Sequence, residues 1–254
     1  MSILIGLTFF FITYYMLFVF PTWWVRIVRV ETPLGLNKTV LQLSDLHVER
    51  LRVSPERLKK FINRECIDYI FLTGDYLDET WALPKLEAYL KVLEESNIPV
   101  FAVLGNHDYR LPDIAYLKTL FRNYHIFLLE NETVSLDGFT LMGIDPYKKE
   151  WKRFIQNHTA QPFNERLIIL CHDPNCFEHI IFNYDLGLAG HFHGKQLNIP
   201  FLFKLKPMGP FAKKGIYTGK HQLTTGKLYI SNGLGQTKWN IRFLVRSEMT
   251  IHIV

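Results

Sequence analysis

The chain has 254 residues, 48% of them hydrophobic and 21% charged. That length and balance fit one large α/β domain or two small ones and exclude a disordered chain. The net charge of +5 suits a phosphate-bearing partner or an anionic membrane surface, or merely solvated lysines; it is too diffuse to point to nucleic acid.

Residues 2–25 carry no charge and are rich in Phe, Ile, Leu, Tyr and Trp. A helix of that length spans a hydrocarbon core of about 30 Å. No Lys or Arg precedes the run, as a cleaved signal would require. Trp23-Trp24 followed by Arg26 and Arg29 closes it, the profile of an anchor whose C-terminal side is cytoplasmic. An interfacial helix or an atypical signal is the alternative. The expected organisation is an anchor over 1–29, a linker over 30–38 broken by Pro33 and Gly35, and a catalytic domain over 39–254.

From residue 39 strands and helices alternate. Residues 39–44 read as a strand. Residues 54–65 read as a helix with Ser54 as N-cap and Pro55 at its first position. An apolar strand at 69–73 precedes a helix at 81–96 with Leu83, Leu86, Leu90 and Leu93 on one face. A strand at 99–104, a helix at 113–123 and short strands at 126–129, 133–136 and 140–144 follow. Residues 151–161 read as a helix or an irregular crossover. Strands at 167–171 and 185–189 flank a short helix at 174–182, and 227–230 and 248–254 are again β. The order gives βαβ units and then a β-rich half, an α/β fold. Cys66, Cys171 and Cys176 are odd in number and form no C-x-x-C pair. That pattern argues against a disulfide framework or a structural zinc site and for a reducing compartment.

Asp45, Asp75 and Asn106 each fall just after an apolar strand, with one helix between successive strands. Parallel strands joined in this way deliver such residues to one edge of the sheet, where ligands bind in open α/β folds. His172 and His191 also follow strand-like runs, and His193 lies two residues on. The mixed oxygen and imidazole set suits Mn, Fe, Zn, Ni or Co better than Ca or Mg. Asp75 is the candidate to bridge two ions, since Gly74 before it permits close backbone approach. Two adjacent divalent ions lower the pKa of a shared water toward neutrality and clamp a phosphate ester. Taken singly, Asp45-Leu46-His47 or Gly105-Asn106-His107-Asp108 is an ordinary turn. Their conjunction, in this order after separate apolar runs, is what points to metal chemistry. His125, His158, His179, His221 and His252 lie outside the motifs and read as surface or satisfied core residues.

The motif order Asp45-Leu46-His47, Gly74-Asp75, Gly105-Asn106-His107-Asp108, His172 and Gly190-His191-Phe192-His193 resembles the signature of the calcineurin-like metallophosphoesterase superfamily. Gly190 to Gln196 and Ser231 to Gly235 further resemble a bacterial membrane-associated branch. The resemblance implies a four-layer α/β/β/α sandwich with two divalent ions, manganese foremost. One ion would be held by Asp45, His47, Asp75 and His193, the other by Asp75, Asn106, His172 and His191. It implies that His107 binds a phosphoryl oxygen and protonates the leaving group or stabilises the developing charge. Asp78 or Asp108 would orient His107. Phe192 and Lys195 stand where the branch has Thr and Gly. Phe192 would crowd the mouth or meet an apolar substrate, and Lys195 would bind a second phosphate or be solvated.

The segment 201–220 mixes Phe201, Leu202, Phe203 and Phe211 with Lys204, Lys206, Lys213 and Lys214. It reads either as a hairpin loop with solvated lysines or as a flap beside a lipid head group. Some members of the resembled superfamily cleave the pyrophosphate of UDP-2,3-diacylglucosamine in lipid A assembly. That activity implies a membrane-associated substrate at the cytoplasmic face of the inner membrane. A phosphodiesterase or phosphatase for soluble esters is the alternative, and a scaffold without activity a further one. A nucleic-acid partner is not expected, since no basic stripe with interleaved aromatics is evident.

Overall fold

Two six-stranded sheets enclose a layer of apolar side chains in the computed structural model, which describes residues 1–159, 165–199 and 208–254. The first sheet contains β1 (Arg26–Glu31), β2 (Thr39–Leu43), β3 (Tyr69–Thr73), β4 (Val100–Val103), β5 (Phe127–Leu128) and β12 (Glu248–Ile253), in the order β1-β12-β2-β3-β4-β5. The second contains β6 (Glu132–Leu136), β7 (Phe139–Ile144), β8 (Arg166–Cys171), β9 (Leu186–Ala189), β10 (Gly219–Gln222) and β11 (Lys227–Ile230), in the order β10-β11-β9-β8-β7-β6. β2, β3 and β4 run parallel, as do β7, β8, β9 and β11. Their carboxyl ends therefore gather at one edge of each sheet.

Period-two alternation sorts the side chains into layers. In β8, Ile168 and Leu170 join Phe71, Val103 and Leu188 between the sheets, whereas Leu167, Ile169 and Cys171 face the other way. In β3, Phe71 points between the sheets and Ile70 and Leu72 point outward. Both faces of these central strands are covered, which is why they read as unbroken apolar runs.

The N-terminal segment forms α1 (Ser2–Tyr14), a π-type turn over Tyr15–Val19 and α2 (Phe20–Trp23). Ile3–Trp23 is the one helix among the described residues that is long and apolar enough to cross a membrane, and its side chains are largely exposed. The outer face of the first sheet is covered by α3 (Pro55–Ile62), α4 (Leu83–Glu95) and α5 (Ile114–Asn123), through Leu58, Leu86, Leu90, Leu117 and Phe121. Ser54 caps α3 by accepting from the Arg57 N–H at 3.2 Å. α6 (Trp151–Asn157), a 3-10 turn at Pro174–His179 and α7 (Pro210–Lys213) cover the second sheet through Ile155, Phe177 and Phe211.

Most expected elements lie within a few residues of the observed ones. Arg26–Glu31, which straddles the boundary expected at residue 29, is a strand of the first sheet. It pairs in parallel with β12 from Arg26↔Glu248 to Glu31↔Ile253. Strand formation satisfies backbone groups that a free linker would leave to water, and it buries Val30. β10 begins inside the segment 201–220, read as a hairpin loop or a flap, and runs past its end, while residues 201–207 of that segment and the end of the 151–161 crossover lie outside the described residues.

Candidate metal centre

The carboxyl ends of β2, β3, β4, β8 and β9 bring the motif residues together. Asp45 and His47 follow β2, Asp75 follows β3, Asn106 and His107 follow β4, His172 follows β8, and His191 and His193 follow β9. Asp45, His47, Asp75, His191 and His193 all have positive φ, between 38° and 73°. Non-glycine residues occupy that region at a cost, and such strain concentrates at functional sites. The connections are tied by backbone bonds: the Asp45 N–H donates to Gly74 O at 2.9 Å and the His47 N–H to Asp75 O at 3.1 Å. Gly190 is obligatory for a different reason. A Cβ there would lie 1.9 Å from Ser44 Oγ and 2.3 Å from Asp45 Oδ2.

Two clusters share Asp75. Asp45, His47, Asp75 and His193 form one, all buried, and Asp75, His172 and His191 form the other. His193 Nε2 lies 3.3 Å from Asp45 Oδ1, and His172 Nε2 lies 3.1 Å from Asp75 Oδ2. His191 Nδ1 faces His172 Nε2 at 3.2 Å. His47 Nε2, Asn106 Oδ1 and His193 Nδ1 are buried without a hydrogen-bond partner. Unpartnered buried nitrogens and oxygens beside carboxylates are costly unless a cation takes up their lone pairs, so the donor set fits divalent metal ions. Outer contacts hold the rings. The Nδ1–H of His172 donates to Thr73 O at 2.8 Å, and that of His47 to Asp78 Oδ1 at 3.0 Å. Each bond turns Nε2 toward the cluster.

The electrostatics follow from this crowding. Burial opposes ionisation of Asp75, but His172, His47 and His107 outweigh it and hold the carboxyl well below its usual range. Burial likewise works against a charge on His172, and the Asp75 carboxylate overrides it, raising the imidazole to about 10. Burial wins at His193, which falls to about 3 despite Asp45. Burial, reinforced by Asp75, lifts Asp108 to about 7.

The structure separates the two aspartates expected beside His107. Asp78 Oδ1 is 2.5 Å from His107 Nδ1, and Asp78 Oδ2 accepts from Arg50 at 2.6 Å. Asp108 is buried elsewhere and receives the N–H groups of Asp75, Tyr76 and Gly105 at 3.0, 2.8 and 2.8 Å, tying the β3 and β4 loops together. Phe192 packs into the core of the second sheet, with 1% of its surface exposed, and lines the pocket wall. Lys195 lines the pocket and places its ammonium 4.0 Å over the Tyr217 ring.

The pocket has a volume of about 590 Å³. Asp75, Asn106, His107, His191 and His193 line it together with Arg110, Lys195, Lys238, Leu197, Met208 and Trp239. Reading of the sequence missed Arg110, Lys238 and Trp239. Arg110 follows His107 by one turn, beside the Gly105-Asn106-His107-Asp108 motif, whereas Lys238-Trp239 arrive from a distant loop with no motif of their own. Gln196, the last residue of the Gly190 run, pins that loop. Its Nε2 donates to Thr237 O and Trp239 O at 2.9 and 3.0 Å, and its Oε1 accepts from the Thr237 N–H at 3.0 Å.

A two-sheet α/β sandwich with paired oxygen and imidazole clusters on its loop edge is the architecture of a metallophosphoesterase. The model of the calcineurin-like phosphoesterase family matches residues 38–195, and the chain belongs to that family. It is 36% identical over 229 residues to the uncharacterized metallophosphoesterase YkoQ of Bacillus subtilis, covering 87% of this chain and 84% of the relative. It is 26% identical to the phosphodiesterase YaeI of Escherichia coli, over 84% of this chain and 80% of the relative. The fold is also that of TT1561 of Thermus thermophilus, with a TM-score of 0.51 at 14% identity, covering 78% of this chain and 90% of the other. The protein is a metal-dependent phosphoester hydrolase.

Proposed function

We propose that the protein hydrolyses a phosphodiester or pyrophosphate bond in an amphiphilic substrate at a membrane surface. The observation that carries this reading is the pocket, where the ligand clusters share one cavity with Arg110, Lys195 and Lys238 and with apolar Leu197, Met208 and Trp239. Asp45, His47, Asp75 and His193 would hold one divalent ion, and Asp75, Asn106, His172 and His191 the other. Manganese is the ion we put forward for this mixed carboxylate and imidazole set, with Fe, Zn, Ni and Co as alternatives. Bound there, the ions supply charge neutralisation at a phosphoryl oxygen and a water of near-neutral pKa.

The chain's own groups do the rest. Asp78 Oδ1 and Arg110 Nη1 both stand at His107 Nδ1, at 2.5 and 3.1 Å, which turns Nε2, 4.0 Å from Asp75 Oδ2, toward a phosphoryl oxygen. In its imidazolium form, with Asp78 taking the Nδ1–H, the ring would carry a second proton on Nε2 to hand to the leaving oxygen. Arg110 and Lys238 attract the anion, and Lys195 adds charge for the second phosphate of a pyrophosphate. Leu197, Met208 and Trp239 accept the apolar part of the substrate. The relative named a phosphodiesterase supports a diester. The exposed apolar helix supports a single-pass anchor in the inner membrane with the catalytic domain, from about residue 26 onward, on the cytoplasmic side. UDP-2,3-diacylglucosamine, an acylated pyrophosphate, is the specific substrate we put forward.

The test uses the full chain in detergent micelles with Mn²⁺. It compares kcat/KM for UDP-2,3-diacylglucosamine, the same nucleotide sugar without acyl chains, and bis(p-nitrophenyl) phosphate. Burial of acyl surface against Trp239 and Met208 should favour the acylated compound by about tenfold or more. Equal values for the two nucleotide sugars would remove the amphiphilic part of the proposal. No turnover of any ester with any divalent metal would remove the whole.

A further inference from the structure

The helix at the N-terminus does not hang from the catalytic domain by a flexible tether. A helix end leaves its last carbonyls without partners, and here the domain supplies them. Pro21 O accepts from the Ser247 N–H at 3.2 Å, Trp23 O from Arg57 at 2.8 Å, and Trp24 O from Arg246 Nε at 2.8 Å. The Arg246 guanidinium also lies 3.7 Å over the Trp24 ring. A second attachment sits further up the helix. The Arg242 N–H donates to Phe18 O at 2.8 Å, and the Phe243 ring stacks on Phe18 with centroids 5.0 Å apart. Phe18 precedes the helix end at Trp23 by five residues, or about 7.5 Å at the usual rise of an α-helix. The loop carrying Arg242 and Phe243 therefore climbs alongside the apolar span.

That loop is the one that walls the active-site pocket. Residues 237–239 line the pocket, and Arg242 and Phe243 touch the helix. Between and beyond them, Trp239 is 65% exposed and Leu244 66% exposed. A folded domain seldom leaves two such side chains on one loop facing water. A crevice of about 590 Å³ separates Leu244 and Val245 from Leu17 and Phe20 of the helix, with Arg26 at its border. Arg26 and Lys238 are exposed cations on this side of the molecule. Exposed Trp and Leu between cations, beside a helix long enough to span a bilayer, have the composition of a head-group layer contact.

We propose that residues 237–245 form a bilayer-contact surface. Leu244 and the exposed part of Trp239 enter the lipid head-group layer beside the helix, Arg26 faces lipid phosphates, and the active-site pocket, which Trp239 and Lys238 also line, opens toward the membrane surface. The inference rests on the reading of Ile3–Trp23 as a membrane anchor and deepens it, since it fixes how the site is presented to a lipid-borne substrate.

Collision accessibility of nitroxide labels tests it. The full chain, with the exposed Cys66 replaced by Ser, is labelled at Leu244→Cys, Trp239→Cys, Ile5→Cys or Lys91→Cys and reconstituted in vesicles of phosphatidylcholine and phosphatidylglycerol. Each label is challenged with oxygen, which partitions into lipid, and with a water-soluble nickel chelate. The labels at Leu244 and Trp239 should favour oxygen over the chelate by several-fold relative to the label at Lys91, which lies on the solvent face of α4. Labels at 239 and 244 that match Lys91, while Ile5 favours oxygen, would overturn the contact surface and leave the anchor standing. A label at Ile5 that also favours the chelate would overturn the anchor and the inference with it.

Discussion

Replacing Asp78 by Asn keeps the shape of a side chain that serves three partners and removes its charge. One carboxylate oxygen sits 3.0 Å from His47 Nδ1 and 2.5 Å from His107 Nδ1, and the other receives Arg50 at 2.6 Å. Hydrogen bonds to a charged group contribute about 1.5–3 kcal/mol, roughly twice their neutral counterparts. The amide oxygen still accepts, so each histidine bond should weaken by about 1–1.5 kcal/mol. At about 1.4 kcal/mol per factor of ten, weakening one bond in the transition state lowers the rate about tenfold, and weakening both lowers it about a hundredfold. Because His47 is a candidate ligand and His107 is not, the two effects separate. Manganese affinity should fall by several-fold through His47, and kcat at saturating manganese should fall about tenfold through His107. The Arg50 pair is partly exposed and adds little, so the two weakened histidine bonds should set the loss of global stability at about 1–3 kcal/mol. Steady-state hydrolysis of bis(p-nitrophenyl) phosphate across a manganese titration, with a thermal melt alongside, reads all three. A kcat within about twofold of the parent at saturating metal would refute the role assigned to Asp78.

Gly190→Ala should fold yet lose metal, because the added methyl meets Ser44 Oγ and Asp45 Oδ2 within 2.3 Å; a variant retaining full metal content by mass spectrometry would count against the packing argument. Gln196→Leu removes three hydrogen bonds to the Thr237 and Trp239 backbone, each contributing about 1 kcal/mol. It should raise KM about tenfold with a smaller change in kcat, and a pure kcat effect would contradict it. Burial pushes His252 down to about 3, with Lys220 adding to the effect, so the folded chain keeps it neutral while the unfolded chain takes up a proton near the ordinary value of about 6.5. Its contribution to stability is present above about pH 6.5 and is lost as the pH falls toward about 3. The urea midpoint of the parent should therefore drop more between about pH 7.5 and pH 5.5 than that of His252→Gln, and equal drops would show that this imidazole is not the source.

The candidate ligands were legible because each follows a strand buried on both faces, and such a strand writes itself as an apolar run ending in a polar residue. Asp45 after β2, Asp75 after β3 and His172 after β8 all carry that mark. β1 was hidden for the opposite reason. Val28 and Val30 alternate with Ile27 and Arg29 at the end of a longer apolar stretch, so the period of two disappears into the helix signal. Asp78 and Asp108 are equivalent as letters. What distinguishes them is that the β3 and β4 loops aim three N–H groups at Asp108 and none of those three at Asp78, a fact of tertiary approach. Trp239 and Lys238 reach the pocket because Gln196, Arg50 and Arg52 hold their loop, and no local pattern encodes that meeting. The resemblance sets Phe192 at the mouth or against an apolar substrate; the tight turn after β9 lays its ring in the core of the second sheet, along the pocket wall.

Metal stoichiometry set beside turnover addresses the central claim most directly. Purified full-length protein loaded with Mn²⁺ should bind two ions per chain and hydrolyse bis(p-nitrophenyl) phosphate. Asp75→Ala should lose both ions and all activity, since both clusters share that carboxylate. His107→Asn should keep two ions while kcat falls by about 10² to 10⁴. Undiminished hydrolysis by Asp75→Ala, or loss of metal in His107→Asn, would contradict the account.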